Sequence, residues 1–321
     1  MPGSQSVFNP YNNTLYNFYT DHKKGGAYDS LTNRWDVSYT PDLLTVYWQA
    51  NKFISAVDSS LYVLGGYGQM QYKNTVQRYH FPDKRWDSIP VSGERLTPRY
   101  LAAVGATAGG DTAYVLGGYG SNSGNQVVNP RHYYDLMAYN VKQRAFHKVY
   151  QLPEPPSQFC FANSLVVDAA ERAYYALIFP DDKFNTSLQL IRGSLEKPEY
   201  TPLANTIPYS FHDIKSFADL YYYKDSKKLV AVTLYTGKDD ITEVKVYTLE
   251  FPPDAVTEDT SGLGGFSAWY YILLLPAAAM GAFLLVKRRR QPKKPAPAAV
   301  AAPAPATGET APAAPAQSAP A

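Results

Sequence analysis

The octapeptide LYVLGGYG at Leu61–Gly68 returns as AYVLGGYG at Ala113–Gly120, an offset of 52 residues. Each copy is a short apolar run closed by a glycine pair, Gly65-Gly66 in the first and Gly117-Gly118 in the second. Tyr and Val favour an extended strand, and the glycine pair that closes it is the most constrained element of the repeat. A period above about 40 residues built on such strands predicts one four-stranded sheet per repeat, with the sheets stacked on one another.

Working outward, the aromatics keep a fixed spacing. Tyr79 and Trp86 stand seven positions apart after the first glycine pair, and Tyr139 and Phe146 keep that separation after the second. Upstream, Tyr28 and Trp35 repeat it. In each case a polar turn, at 30–33, 82–84 and 141–143, joins the strand holding the Tyr to a strand opened by the large aromatic. Antiparallel strands with a short turn, and an aromatic packing between neighbouring sheets, produce this spacing. The 28 tyrosines and the scarcity of helical periodicity point the same way, to an all-β domain.

The pattern resembles the kelch repeat, the blade motif also found in the central domain of galactose oxidase, over roughly Tyr16 to Pro252. The resemblance implies a β-propeller occupying residues 1–253. RAYYALIF (Arg172–Phe179) and KLVAVTL (Lys228–Leu234) sit where the glycine-pair strand should recur but lack the glycines, and are read as degenerate blades followed by third strands at TSLQLIRG and TEVKVYTLEF. Anchored on Leu15, Leu61, Ala113, Ala173 and Lys228, the spacings are 46, 52, 60 and 55 residues, which makes about five blades visible. Kelch propellers usually close with six or seven, and the first unit shows no clear innermost strand. The favoured expectation is an N-terminally truncated ring, with a closed five-bladed ring as the alternative.

Beyond a linker at 254–266, the stretch SAWYYILLLPAAAMGAFLLV (Ser267–Val286) carries no charge over 20 residues. At roughly 1.5 Å rise per residue it is long enough to cross a ~30 Å hydrocarbon layer as a transmembrane helix. Trp269, Tyr270 and Tyr271 form an aromatic belt at one end, and Lys287-Arg288-Arg289-Arg290 follow at the other, with Lys293 and Lys294 behind. By the positive-inside rule the tail is cytoplasmic and the propeller lies outside the cell membrane, held by a single pass. Residues 1–22 show none of the features of a signal peptide, so the expectation is that a signal lies upstream in a longer natural chain. Residues 287–321 read as a basic stop followed by a Pro/Ala-rich disordered tail, either the end of the protein or the tether of a missing cytoplasmic output domain. That order of parts resembles bacterial envelope sensors.

Charge and chemistry narrow the function. Six of the 30 lysines and arginines and one of the 28 acidic residues follow Ser267, leaving 24 against 27 ahead of it, a net of about −3. No nucleic-acid footprint is visible there. Cys160, the single cysteine, lies in the apolar run FCFANSLVV and reads as a buried core thiol, which also excludes an internal disulfide. His22, His80, His132, His147 and His212 form no HxH or HxxxH pair, so no metal site is assigned. Asp181-Asp182 and Asp239-Asp240 read as turn residues, and GGYGSNSG opens no helix and fails as a phosphate loop. No catalytic constellation and no cofactor is assigned, and the reading leans away from an enzyme.

Function is therefore sought in loops. The kelch resemblance implies that the second-to-third-strand connections and the links between blades share one face; here these are 67–74, 119–131, 90–99 and 153–158. Their candidate ligand-binding residues are Tyr67, Gln69, Tyr72, Arg99, Tyr119, Asn122, Asn125 and Arg131, types that stack on or hydrogen-bond a glycan, a peptide or a protein. Gly65, Gly66, Gly117, Gly118, Tyr28, Trp35, Tyr79, Trp86, Tyr139 and Phe146 are assigned to the scaffold. The expected function is a membrane-anchored extracytoplasmic module that binds a ligand or protein, with a sensor role if the tail passes a signal. The alternatives are a galactose-oxidase-like surface enzyme, which the resemblance would equip with copper held by two Tyr and two His, and a structural or adhesion protein of the envelope.

Overall fold

Alternating apolar and polar residues between short turns fold this chain into successive antiparallel meanders. A computed structural model describes residues 4–36 and 45–253. The first sheet contains β1 (Ser4–Asn9), β2 (Thr14–Tyr19), β3 (Lys24–Asp29) and β4 (Arg34–Trp35), in that order. Next come β5 (Asn51–Ser55) and β6 (Ser60–Leu64), a small hairpin of β7 (Tyr67–Gly68) and β8 (Gln71–Tyr72), then β9 (Val76–His80) and β10 (Arg85–Ser88). Here β5, β6, β9 and β10 form the second four-stranded sheet. Two-residue strands β11 (Ser92–Gly93) and β12 (Arg99–Tyr100) precede a third meander, β13 (Ala103–Ala106), β14 (Thr112–Gly120), β15 (Arg131–Asn140) and β16 (Ala145–Gln151).

The fourth meander is β17 (Cys160–Asp168), β18 (Ala173–Phe179), β19 (Asn185–Ser194) and β20 (Tyr200–Ser210), and the fifth has three strands, β21 (Ser216–Tyr223), β22 (Lys228–Thr236) and β23 (Thr242–Glu250). Among the described residues the only helical element is a 3₁₀ turn at Asp213–Lys215, so the domain is all-β. Strands β2, β6, β14, β18 and β22 begin at, or one residue before, the anchors Leu15, Leu61, Ala113, Ala173 and Lys228, including the two that lack glycine pairs. One expectation fails. The first unit does have a leading strand, β1, paired with β2 from Ser4↔Tyr19 to Asn9↔Thr14; its sequence, SQSVFN, hides it because polar Gln5 and Asn9 are the buried positions and Phe8 is exposed.

The seven-residue aromatic spacing is a register. Trp35 lies opposite Tyr28, Trp86 opposite Tyr79 and Phe146 opposite Tyr139, with ring centroids 5.1, 5.4 and 4.8 Å apart. A turn of four residues between directly paired strands places i and i+7 face to face, where cross-strand aromatics contribute roughly 0.2–1 kcal/mol beyond an Ala pair.

The core is divided into layers between consecutive sheets. Phe18 of β2 meets Tyr79 and Trp86 of the second sheet at 4.7 and 5.7 Å. Phe53, Tyr62, Leu64 and Val76 pack on Val104, Val115, Met137 and Tyr139. Leu116, Tyr134 and Leu136 pack on Phe161, Leu165 and Tyr174, and Tyr175, Leu177 and Leu190 on Leu220, Leu229 and Ala231. Each internal sheet is thus apolar on both faces, which is why β6 (SLYVL) is buried at every position.

Leading strands of these meanders lie side by side. Val104 of β13 bridges in parallel to Ser164 of β17, and the Ser164 hydroxyl donates to Leu220 O and accepts from Leu220 N–H in β21, at 3.1 and 2.6 Å. The amide of Asn51 in β5 donates to both Ala102 O and Asn163 O at 2.6 Å, joining three meanders with one side chain.

The chain divides into two units at Thr257/Glu258. The expected linker at 254–266, the span at 267–286 and the tail at 287–321 all lie outside the described residues. Among the described residues no helix is long and apolar enough to cross a membrane.

Candidate functional site

The ends of the second strands and the beginnings of the leading strands share one face, and four tyrosines meet there. Tyr67 of β7, Tyr72 of β8 and Tyr100 of β12 form a triangle with centroid distances of 5.4, 5.0 and 5.6 Å. Tyr119, at the end of β14, closes on Tyr72 and Tyr100 at 6.1 and 6.3 Å in edge-on contacts. Tilted and edge-on geometry is what ring quadrupoles favour. Tyr72 and Tyr100 are buried and form the floor, whereas Tyr67 and Tyr119 are half-buried and reach the surface.

Hydrogen bonds fix the polar ends. The Tyr67 hydroxyl donates to Gln126 Oε1, and the Tyr100 hydroxyl donates to Asp213 Oδ1 at 3.0 Å. Burial pushes the phenols of Tyr72, Tyr100 and Tyr119 up, so they remain neutral donors at physiological pH. Burial also raises the Asp213 carboxyl, against the lowering effect of the Tyr100 hydrogen bond and the nearby His212. The amide of Gln49 donates to Asp213 O and Ser216 O, both at 2.9 Å, and holds this turn against the second meander.

The cluster continues through Tyr119 to His132 at the start of β15, with centroids 4.9 Å apart. His132 stacks almost parallel to Tyr134, at 6.3 Å and 9°. Its Nε2 faces both carboxylate oxygens of Asp181, at 3.1 and 3.2 Å, in the loop after β18. Cys160, the first residue of β17 and fully buried, completes the group: His132, Cys160 and Asp181 place one potential ligand atom each within 4.8 Å of one another. Burial works against ionisation of Asp181, but the bond and charge of His132, helped by Cys160, hold its carboxyl below the usual range. Burial raises the Cys160 thiol, and the neighbouring Asp181 adds to that.

Of the residues expected to bind ligand, Tyr67, Tyr72 and Tyr119 are brought together. Gln69 sits at φ 52° with Met70 at 61°, the two central positions of the β7–β8 hairpin, and points to solvent. Asn122 and Asn125 shape the 121–126 loop: Asn122 Oδ1 accepts from the Tyr133 hydroxyl at 3.3 Å, and Asn125 Oδ1 from Val127 N–H at 2.9 Å. Arg131 lies 5.0 Å over the Tyr133 ring and lines a separate cleft of about 350 Å³ with Glu94, Arg95 and Lys148.

Arg99 turns inward. It is 2% exposed, pairs through both terminal nitrogens with Asp135, donates to Thr97 O and Gly117 O at 3.0 and 3.1 Å, and lies 4.5 Å over the Tyr133 ring. Every part of its guanidinium is occupied by the protein.

Tyr100 and Asp213 carry no sequence motif of their own, and His132, Cys160 and Asp181, read as an isolated histidine, a core thiol and a turn residue, meet only in the fold. His132 forms no short sequence motif because its partners stand 28 and 49 residues away. A usable signal is present: Asp181 lies just past the end of β18 and Tyr119 at the end of β14, while Tyr100, Cys160 and Asp213 each sit at or just before a leading strand. No family model matches this chain, and a search of curated proteins found no match.

Proposed function

We propose that residues 1–253 form a kelch-type β-propeller of about five blades, tethered outside a membrane by the apolar stretch 267–286, and that it acts as a binding module for a neutral, hydrogen-bonding ligand such as a glycan or an extended peptide. The blade reading is supported by consecutive antiparallel sheets that sandwich a core layer between each neighbouring pair, with leading strands side by side. The observation that carries the binding reading is the convergence of Tyr67, Tyr72, Tyr100 and Tyr119 on one face, with two rings at the surface and two beneath them. Neutral phenols offer a π-face and a hydroxyl at little entropic cost, and Asn and Gln around them add adaptable donors and acceptors.

The test is binding of the full 321-residue chain, in detergent micelles, to arrays of neutral oligosaccharides and of uncharged peptides. The expected result is retention on one array, weakened about tenfold or more by Tyr67→Ala or Tyr119→Ala, a loss of at least ~1.4 kcal/mol. Tyr223→Ala, exposed at the other end of β21, should leave binding unchanged. Retention that survives removal of both Tyr67 and Tyr119, or no retention on either array, would refute this function. The galactose-oxidase-like alternative predicts stoichiometric copper and oxidase turnover in the same preparation.

A further inference from the structure

We propose that His132 Nε2, Cys160 Sγ and the Asp181 carboxylate form a binding site for a divalent transition-metal ion of the zinc type, at one side of the tyrosine cluster and independent of whether the tyrosines bind a ligand. The three residues come from three different segments, the start of β15, the start of β17 and the loop after β18, and their ligand atoms lie within 4.8 Å of one another. Metal–ligand bonds of roughly 2.0–2.3 Å in tetrahedral geometry separate ligand atoms by roughly 3.3–3.8 Å. The His132–Asp181 separations of 3.1 and 3.2 Å are hydrogen-bond distances just short of that spacing, so an ion that replaces the shared proton needs only a small movement of these two residues.

Several features prepare this site. The His132 ring is held between Tyr119 and Tyr134, which sets the direction of Nε2 before any ion arrives. The Cys160 side chain is fully enclosed among apolar neighbours, yet its sulfur lies within 4.8 Å of a ligand atom of both His132 and Asp181. Charge also balances: one thiolate, one carboxylate and a neutral imidazole around a divalent cation leave no net charge to bury. Asp181 keeps 22% of its side chain exposed and His132 9%, which gives the ion an entry path and leaves a fourth position for water or an exchangeable ligand. Mixed sulfur, nitrogen and oxygen ligation selects Zn²⁺, Co²⁺ or Cu²⁺ over Mg²⁺ and Ca²⁺.

The experiment is titration of Co²⁺ into the full chain in detergent micelles after chelator treatment, followed by absorption. Cys160 is the chain's single cysteine, so a sulfur-to-cobalt charge-transfer band in the wild-type protein can arise from that residue alone. The expected result is one Co²⁺ per chain with that band, bleached by stoichiometric Zn²⁺ and untouched by excess Mg²⁺ or Ca²⁺. Cys160→Ser should remove the band, and Asp181→Asn and His132→Gln should weaken Co²⁺ binding at least tenfold with an unchanged far-ultraviolet circular dichroism spectrum. Absence of the band in wild type, or a band of undiminished affinity in either Asp181→Asn or His132→Gln, would overturn the assignment. Because the readout is the metal itself, failure of ligand binding on the arrays leaves it standing, and the reverse also holds.

Discussion

Replacing Asp135 with Ala tests whether Arg99 belongs to the scaffold or to the binding face. Arg99 and Asp135 have side-chain exposures of 2 and 10%, so the pair is almost completely withdrawn from water. Removing one partner of a buried ion pair typically costs about 3–5 kcal/mol, because the surviving charge stays buried. Here Arg99 keeps the carbonyls of Thr97 and Gly117 and the face of Tyr133. These cushion the loss toward the lower end, about 3 kcal/mol. For a domain of this size each kcal/mol moves the thermal midpoint by about 2–4 °C, so Asp135→Ala should melt about 6–12 °C below wild type by circular dichroism. Arg99→Met should fall by a similar amount, and Arg99→Met/Asp135→Leu together should lose less than the sum, since neither variant then strands a charge. A shift below about 3 °C for both single variants, with Arg99→Met abolishing ligand retention, would refute the structural role and return Arg99 to the ligand contacts.

Gly118→Ala should destabilise the domain by about 1–3 kcal/mol in the same melting assay, since φ is +122° and a Cβ would stand 2.7 Å from Tyr100 O, whereas Gly109→Ala, whose Cβ meets only Asp111 Oδ1 at 3.9 Å, should be close to neutral. Trp86→Ala should cost about 3–5 kcal/mol through loss of its contacts with Phe18 and Tyr79, and Trp86→Phe far less, because the ring is kept and the buried, unpartnered indole N–H is removed. For Asp213, burial raises the folded carboxyl above its unfolded value, so the contribution of this residue to stability should decline as pH rises from the unfolded carboxylate range through that raised value. Asp213→Asn, which keeps an oxygen for the Tyr100 hydroxyl, should match wild type below that window and exceed it above; equal melting temperatures across the whole range would contradict the assignment.

The sheets were legible because their signals are local. A glycine pair, a Tyr and a Trp seven residues on are set by one hairpin and one close backbone approach, so the chain shows them in order. Even β18 and β22, stripped of glycines, were found by spacing and by apolar runs. What escaped was set by long-range packing. β1 was missed because it is an edge strand with one exposed face, and a polar alternation such as SQSVFN resembles a loop. Arg99 turns inward for a reason its loop sequence does not show, since its partner Asp135 stands 36 residues later. The His132–Cys160–Asp181 group has no sequence motif at all, since it depends on how the third and fourth meanders are juxtaposed.

The glycine pair also has a role in the site. Gly66 donates its N–H to Arg99 O at 3.0 Å, and a Cβ on Gly65 would approach that same carbonyl to 2.9 Å. A Cβ on Gly118 would meet Tyr100 O at 2.7 Å. Both glycine pairs therefore clear a path for one segment, residues 99–102, which enters β13 and carries Tyr100 into the cluster. Where the fourth meander aligns with this repeat at an offset of 60, Leu177-Ile178 replace the glycines and Phe179 stands in the place of Tyr119. The strand end still pairs with its leading segment, Cys160 opposite Phe179 as Tyr100 is opposite Tyr119, but without the phenol it offers no hydroxyl. It supplies Asp181 two residues later instead, beside Cys160 from its own leading strand. The meanders that carry LGGYG contribute Tyr67, Tyr100 and Tyr119, and the fourth, which lacks it, contributes Asp181 and Cys160.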